Sequence, residues 1–328
     1  MIDRAYGCLL GGAIGDAMGM PASFMSPEQI KQVYGRIIDF LPPDKEQQKA
    51  HGGLAAGQVT DDTEESLILA SVLTEARGFD PDLFAEKMRK WAVENRMLES
   101  TVIGPSTRRF LEALVNHTDF MEAGKTGNTN GGAMRVAPVG IFFHGDLDRT
   151  IQAAIDSARP SHGSRPGMAS AAAVAAAVST AVEGGCTARE VMEVAVRGAE
   201  AGEEQGHDIP APSVKARILL AMELVDRNRD KPLEEICFIL YQHIGASMKS
   251  YESIPLSLGV FYAAKGDYNQ GLVAAINLGD DADTNGAIVG NLCGAFGGAR
   301  KIDPAWIRTL SKTSPFDFKE MAGNLMAV

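Results

Sequence analysis

The sequence predicts an all-α fold, and three observations support this prediction. Apolar residues recur at helical spacing in most segments, few segments alternate at period two, and β-branched residues are scattered. The 35 glycines among 328 residues cluster in short stretches between the helical segments, where functional loops are expected. Because no proline- or serine-rich linker interrupts the helical segments, we expect residues 1–328 to form a single domain.

Sequence signals along the chain predict where the helices lie. Small residues at 11–19 favour close helix packing, and Asp16 lies within this segment. Thr187 and Glu190 form a capping box at the start of one helix. Helical periodicity covers residues 64–76, 81–93, 107–115, 149–157, 168–182, 187–201, 213–226, 233–242, 254–265, 269–278 and 284–295, and Pro304 opens a last short helix.

Composition and charge exclude several classes of protein. With 31 Lys and Arg against 42 Asp and Glu, the net charge of -11 argues against a non-specific nucleic-acid binder. The alanine-rich run at 169–182 is too short to span a bilayer, and the N-terminus lacks the features of a signal peptide. We therefore expect a cytoplasmic protein without nucleic-acid or membrane partners. Its cysteines are far apart and predict reduced thiols rather than a zinc site: Cys8, Cys186, Cys237 and Cys293.

Two acidic segments, 57–64 and 279–286, have similar compositions. Each places carboxylates and a threonine at the start of an apolar helix. One interpretation is helix capping, since Asp and Thr are good N-caps and acids suit the positive end of a helix. However, each segment has more oxygens than a cap needs, and carboxylates held close together repel. A pair of divalent cations would remove that repulsion, because carboxylates and hydroxyls are the ligands that Mg²⁺ or Mn²⁺ prefers.

A third segment, residues 127–135, combines glycines with Asn128 and Arg135. Its exposed backbone N–H groups could hold a phosphate, although a tight turn between helices explains the glycines equally well. The Ser161–His162 pair likewise has two interpretations, a structural histidine or a donor to phosphate.

Taken in order, these segments resemble the ADP-ribosylglycohydrolase family, which includes the dinitrogenase-reductase-activating glycohydrolases. The resemblance covers nearly the whole chain, and the Thr-Asp-Asp-Thr and Asp-x-Asp-Thr pair is its most specific part. Five blocks carry it: residues 11–24, 57–64, 127–135 of Gly-Asn-Gly-x-Met-Arg type, 161–162 and 279–286.

The resemblance implies an orthogonal bundle of many helices around a central dinuclear cleft holding two divalent cations, Mg²⁺ or Mn²⁺. It implies cleavage of a glycosidic bond at ribose C1, with a small ribosyl compound or an ADP-ribosylated protein as the substrate partner. The implied catalytic residues are Asp61, Asp62 and Asp281. The implied metal ligands are Thr60, Asp61, Asp62, Asp281, Asp283 and Thr284. The implied substrate-binding residues are Asn128, Gly131, Gly132, Met134, Ser161 and His162.

Two departures from the family pattern leave the substrate open. Ser23 stands where many members carry a Glu, and Val102, next to Thr101, stands near the position where arginine-directed members carry an Asp. The alternatives are a hydrolase of a smaller ribosyl substrate such as a nucleoside, a non-catalytic ADP-ribose-binding module, and a structural helical protein whose acids are caps. The oligomeric state, monomer or small homo-oligomer, is open as well.

Overall fold

The computed structural model describes residues 1–47 and 51–327, and this part of the chain is built from α-helices without a sheet. Short turns join consecutive helices, and the prediction of an all-α fold is confirmed. The first nine helices are α1 (Ile2–Gly19), α2 (Pro27–Tyr34), α3 (Asp61–Ala76), α4 (Pro81–Glu94), α5 (Pro105–Val115), α6 (Phe120–Gly124), α7 (Gly131–Met134), α8 (Ala137–Phe142) and α9 (Leu147–His162). The remaining helices are α10 (Arg165–Glu183), α11 (Ala188–Gln205), α12 (Val214–Arg227), α13 (Leu233–Ile244), α14 (Ser250–Ala263), α15 (Tyr268–Ile276), α16 (Ala282–Gly297), α17 (Pro304–Thr313) and α18 (Phe318–Met326).

Helices α1 and α16 pack closely against each other, and glycines line both sides of their contact. A Cβ on Gly7 would lie 2.5 Å from the carbonyl oxygen of Gly294, and one on Gly11 would lie 2.5 Å from that of Gly290. The same collision joins Gly15 to Gly286 one turn further along. Glycines four residues apart share a helix face, so the two backbones can touch along this seam. The seam brings the end of α1 against the beginning of α16.

The alanine-rich helix α10 is the other central element. Its side chains from Pro166 to Ser179 are buried, and helices α8, α9 and α11 pack against it. The helix predicted over residues 168–182 is therefore confirmed. In the described part of the chain, no helix combines the length and the apolar character that a membrane crossing requires.

Several short elements differ from the sequence prediction. Helices α2, α6, α8 and α18 were not predicted; each spans nine residues or fewer, where periodicity is a weak signal. Residues 131–134, predicted as loop, form a single helical turn. Helix α9 continues through Pro160 to His162, beyond its predicted end at 157.

Candidate active site

The first acidic segment forms the N-terminus of α3. The Thr60 side chain caps the helix by accepting from the backbone N–H of Asp62, and Asp61 and Asp62 occupy the first turn. Asp16 of α1 holds this turn in place. Its buried carboxylate accepts from the backbone N–H of Thr60 at 2.9 Å and from the Thr63 hydroxyl at 2.6 Å.

The second acidic segment forms the N-terminus of α16, where Asp281 lies at the cap position and Asp283 and Thr284 follow. Two backbone hydrogen bonds connect it to the chain leaving α1. The N–H of Asp280 donates to the carbonyl of Met25 at 2.7 Å, and the N–H of Phe24 donates to the carbonyl of Asp280 at 2.5 Å. Both Phe24 and Asp280 have positive φ, at 63° and 54°. Left-handed backbone is costly for residues with a side chain, so the backbone at these two hydrogen-bonded positions is strained.

The two acidic segments, 219 residues apart at Asp62 and Asp281, converge on one cleft. The Asp62 carboxylate accepts from the hydroxyl of Thr60 and from the hydroxyl of Thr284, each at 3.3 Å. Asp61, Asp281 and Asp283 also line this cleft. The sequence could not place these groups together, because the contact depends on how α3 and α16 pack against α1.

Burial and mutual repulsion hold most of these acids near their neutral form. Burial is the largest cause, and neighbouring carboxylates add to it. The pKa values of Asp61 and Asp62 lie well above the ordinary value of 3.8, that of Asp281 is raised to about 8, and that of Asp16 to about 7. Without a positive partner, the cleft therefore cannot hold all of its carboxylates ionised near neutral pH.

Asp283 is the exception, and its partner His51 was not predicted. Burial acts to raise the pKa of Asp283, but the hydrogen bond and charge of His51 outweigh it and lower that pKa. The His51 Nε2 atom lies 3.0 Å from Asp283 Oδ2, and the His51 ring stacks on Phe24 with centroids 6.2 Å apart. The backbone N–H of Asp283 also donates to the Ser23 hydroxyl at 3.3 Å. A lone histidine ahead of a glycine-rich stretch carries no motif, so only the folded contact identifies His51.

The donor set is chemically suited to a hard divalent cation. Asp62 Oδ1 and Asp283 Oδ1 are buried without a hydrogen-bond partner, and the other oxygens come from carboxylates and threonine hydroxyls. Within residues 1–47 and 51–327, however, no three His, Cys, Asp or Glu side chains already surround a single point that would hold an ion. The chemistry of these residues nevertheless fits a hard divalent cation.

The glycine-rich segment supplies a second wall of the cleft. Gly131 and Met134 line the cleft, as do Thr129 and Asn130, which the sequence did not single out. The Asn130 amide donates to Ser253 at 3.0 Å and also to the Asp281 carboxylate, and so joins this wall to the acidic wall.

The other predicted substrate-binding residues of this region make different contacts. The Asn128 side chain accepts from Lys249 at 3.1 Å. Gly132 packs beside the His162 ring. Both Ser161 and His162 are fully buried at the end of α9.

Arg135, which the sequence places in the glycine-rich segment, does not line the cleft. Its guanidinium is fully buried, donates to Glu65 at 2.8 Å and to the Ser161 hydroxyl at 2.6 Å, and lies over the Phe84 ring. An arginine beside a glycine-rich loop looks the same in sequence whether it faces inward or outward. Arg135 points into the core, where it pairs with the buried carboxylate of Glu65.

Comparison with known proteins agrees with the fold. The family model described as ADP-ribosylglycohydrolase matches residues 1–328. The chain is 34% identical to the YegU protein of Escherichia coli, over 98% of this chain and 95% of that one. It is 26% identical to the ADP-ribosyl-[dinitrogen reductase] glycohydrolase of Rhodospirillum rubrum, over 99% of this chain and 96% of that protein.

A solved structure described as an ADP-ribosylglycohydrolase-related protein complex superposes with a TM-score of 0.71. It is 25% identical in sequence, and the match covers 99% of this chain and 97% of that one. The helical fold, the order of the acidic and glycine-rich segments and the full-length matches agree, and the chain belongs to the ADP-ribosylglycohydrolase family and is an enzyme of that type.

Proposed function

We propose that this protein hydrolyses the glycosidic bond at ribose C1 of an ADP-ribosyl compound or an ADP-ribosylated protein. The observation that carries the proposal is the convergence of the two acidic segments, seen in the hydrogen bond from Thr284 to Asp62. The cleavage of ADP-ribosyl linkages named for the Rhodospirillum rubrum relative supports the same substrate class.

The proposed cofactors are two divalent cations, Mg²⁺ or Mn²⁺. Their ligands would be the hydroxyls and carboxylates of six residues: Thr60, Asp61, Asp62, Asp281, Asp283 and Thr284. When bound, such ions would supply the Lewis acidity and positive charge that this group of carboxylates lacks. Two observations support the proposal, the orphaned oxygens of Asp62 and Asp283 and the raised pKa values of the other acids.

The carboxylates themselves suit the chemistry at C1. Asp62 is the proposed general base, because its buried Oδ1 atom has no hydrogen-bond partner among the described residues and can accept a proton. Glycoside cleavage passes through a transition state with positive charge on the sugar ring, as in other glycosidases. The negative charges of Asp61 and Asp281 would stabilise that state in a site shielded from water.

A second candidate is a hydrolase of a smaller ribosyl substrate such as a nucleoside. Two contacts of the cleft favour it. Ser23 provides a hydroxyl rather than a carboxylate beside Asp283. Val102 lines the cleft with an apolar side chain, which cannot bind a guanidinium.

The experiment is a substrate panel with Mg²⁺ or Mn²⁺, analysed by chromatography for released ribosyl product. ADP-ribosyl-arginine, ADP-ribosyl-serine, O-acetyl-ADP-ribose and nucleosides form the panel, and Asp62→Asn is the inactive control. We expect turnover of at least one ADP-ribosyl compound. Turnover of a nucleoside alone would overturn the proposal in favour of the second candidate. Tight ADP-ribose binding in calorimetry without product release would indicate a binding module instead.

A further inference from the structure

A chain of buried hydrogen bonds runs from α3 to the cleft. It begins at the Glu65–Arg135 ion pair, in which both side chains are fully buried. Arg135 Nη2 donates to the Ser161 hydroxyl, which lies 2.8 Å from His162 Nδ1. On the other side of the ring, His162 Nε2 lies 3.1 Å from the Thr129 hydroxyl. Thr129 lines the cleft, and the histidine lies behind it.

The direction of each donor in this chain follows from what each group can give. A guanidinium only donates, so the Ser161 oxygen accepts from Arg135 and has one proton of its own left. That proton fits the hydrogen bond to His162 Nδ1. A neutral imidazole whose Nδ1 accepts carries its proton on Nε2, so His162 donates to the Thr129 oxygen.

The opposite tautomer leaves a buried proton without an acceptor. With its proton on Nδ1, His162 would donate to Ser161, which would then accept twice. Within residues 1–47 and 51–327 the Ser161 hydroxyl makes no other hydrogen bond, so its own proton would be unpaired in a fully buried position. Leaving such a donor unpaired disfavours the arrangement by about one order of magnitude or more.

The histidine stays neutral and closely enclosed. Burial, with the charges of Arg135 and Arg109, lowers the pKa of His162 well below its ordinary value. Gly131 allows this packing, because a Cβ there would lie 2.9 Å from the His162 ring. The ring therefore acts as a fixed dipole between two hydroxyls and does not itself reach the cleft.

We propose that Thr129 is the substrate-contacting end of this chain, a hydroxyl whose oxygen is occupied by His162 and whose proton is directed to an anionic oxygen of the substrate. The aligned dipoles carry part of the effect of the buried Arg135 charge to the cleft wall. The inference rests on the proposed function, in which that oxygen belongs to the diphosphate of an ADP-ribosyl group. Thr129 is then a substrate-binding residue, and Ser161 and His162 are positioning residues.

The binding test is titration of ADP-ribose in the presence of Mg²⁺, by calorimetry. Thr129→Val keeps the shape of the side chain and removes the donor, so affinity should fall about 10- to 100-fold. Thr129→Ser keeps the donor and should stay within about 3-fold. Thr309→Val is the matched control, since that hydroxyl donates within α17, to the carbonyl of Ala305. Unchanged affinity in Thr129→Val, while the wild type binds, overturns this proposal alone. A wild type that fails to bind ADP-ribose overturns the proposed function and this proposal with it.

The tautomer of His162 tests the proposed chain of hydrogen bonds without any ligand. Nitrogen-15 NMR should show a neutral ring protonated on Nε2, and Ser161→Ala should disturb that state. Protonation on Nδ1, or a charged ring near neutral pH, would overturn the donor direction. In the calorimetric assay, the losses of Ser161→Ala and Thr129→Val should combine to less than their sum, because both interrupt the same chain. Fully additive losses would contradict a positioning role for Ser161.

Discussion

Removal of divalent cations should destabilise this protein more at about pH 8 than at about pH 5. In the folded protein Asp61, Asp62 and Asp281 have raised pKa values because burial and mutual repulsion favour the neutral form. Bound cations favour the ionised form instead and compete with protons for the same oxygens. At low pH protons already neutralise the cleft, so removing a metal costs little. At high pH the metal-free cleft must either stay protonated, although free carboxyl groups ionise at that pH, or hold several carboxylates that repel one another. Both alternatives lower the free energy of unfolding.

Asp16, the buried acid that holds the first acidic segment, gives the scale on which a raised carboxyl pKa changes stability with pH. Its pKa is about 7 in the folded protein and 3.8 as the ordinary value, which corresponds to about 4 kcal/mol. In the unfolded chain the group ionises above about pH 4, whereas the folded protein keeps the proton until about pH 7. Its contribution to the free energy of unfolding therefore falls by about 1.4 kcal/mol for each pH unit between these values. Asp281, with a pKa of about 8, extends the window by one further pH unit.

Calorimetric melting in Mg²⁺, Mn²⁺ or a chelator at several pH values measures the difference directly. We expect the gap in Tm between loaded and metal-free protein to widen from about pH 5 to about pH 8, by roughly 5–10 °C. Asp80→Asn alters an exposed cap of α4 and should change Tm without changing that gap. A gap of equal size at every pH, or no gap at all, would refute the reasoning from the carboxylates.

Three further changes test the packing and the site. Gly11→Ala should destabilise the fold by about 2 kcal/mol or more in chemical denaturation, because its Cβ would meet the Gly290 carbonyl, whereas Gly323→Ala, which faces open space, should be neutral or stabilising. Glu65→Gln should cost about 3–5 kcal/mol by leaving the Arg135 charge buried and unpaired, while Glu94→Gln removes an exposed partner of Lys90 and should cost about 0.5 kcal/mol or less; equal costs would contradict the buried pair. Asp62→Asn should abolish the metal-induced rise in Tm and leave the helical circular dichroism unchanged, and a retained rise would remove Asp62 from the ligand set.

The sequence predicts the helices and the acidic segments well because both are local features. A helix of fourteen residues or more shows its apolar face within the sequence, as in the segments at α4 and α10. Each acidic segment likewise presents its oxygens within a few positions, so the density of carboxylates is visible before the fold is known. The short helices α2 and α18 give no comparable signal.

What the sequence could not supply are partners that are distant in the chain. His51 meets Asp283 across 232 positions, and Arg135 meets Glu65 across 70. The sequence therefore indicates an arginine beside a glycine-rich loop, and only the packing of α3 against α8 and α7 decides that it is buried. Thr129 was overlooked for the same reason, since a threonine acquires its role only when His162 occupies its oxygen.

The glycine seam between α1 and α16 and the repelling carboxylates are two parts of one arrangement. The seam fixes the end of α1, where Asp16 holds the first acidic segment, against the start of α16, which carries the second. Backbone contact of this kind has little room to yield, so the acids cannot relieve their repulsion by moving apart. They must instead take up protons or a cation. The close contact at Gly11 and Gly290 therefore holds the two acidic segments together and makes the cleft favour the binding of positive charge. A variant that loosens the seam should therefore weaken divalent-cation binding even though it alters no ligand. Gly11→Ala is such a variant, and calorimetric titration of Mn²⁺ measures its affinity. A weaker affinity supports the coupling, whereas an unchanged affinity would mean that the role of the seam is purely structural.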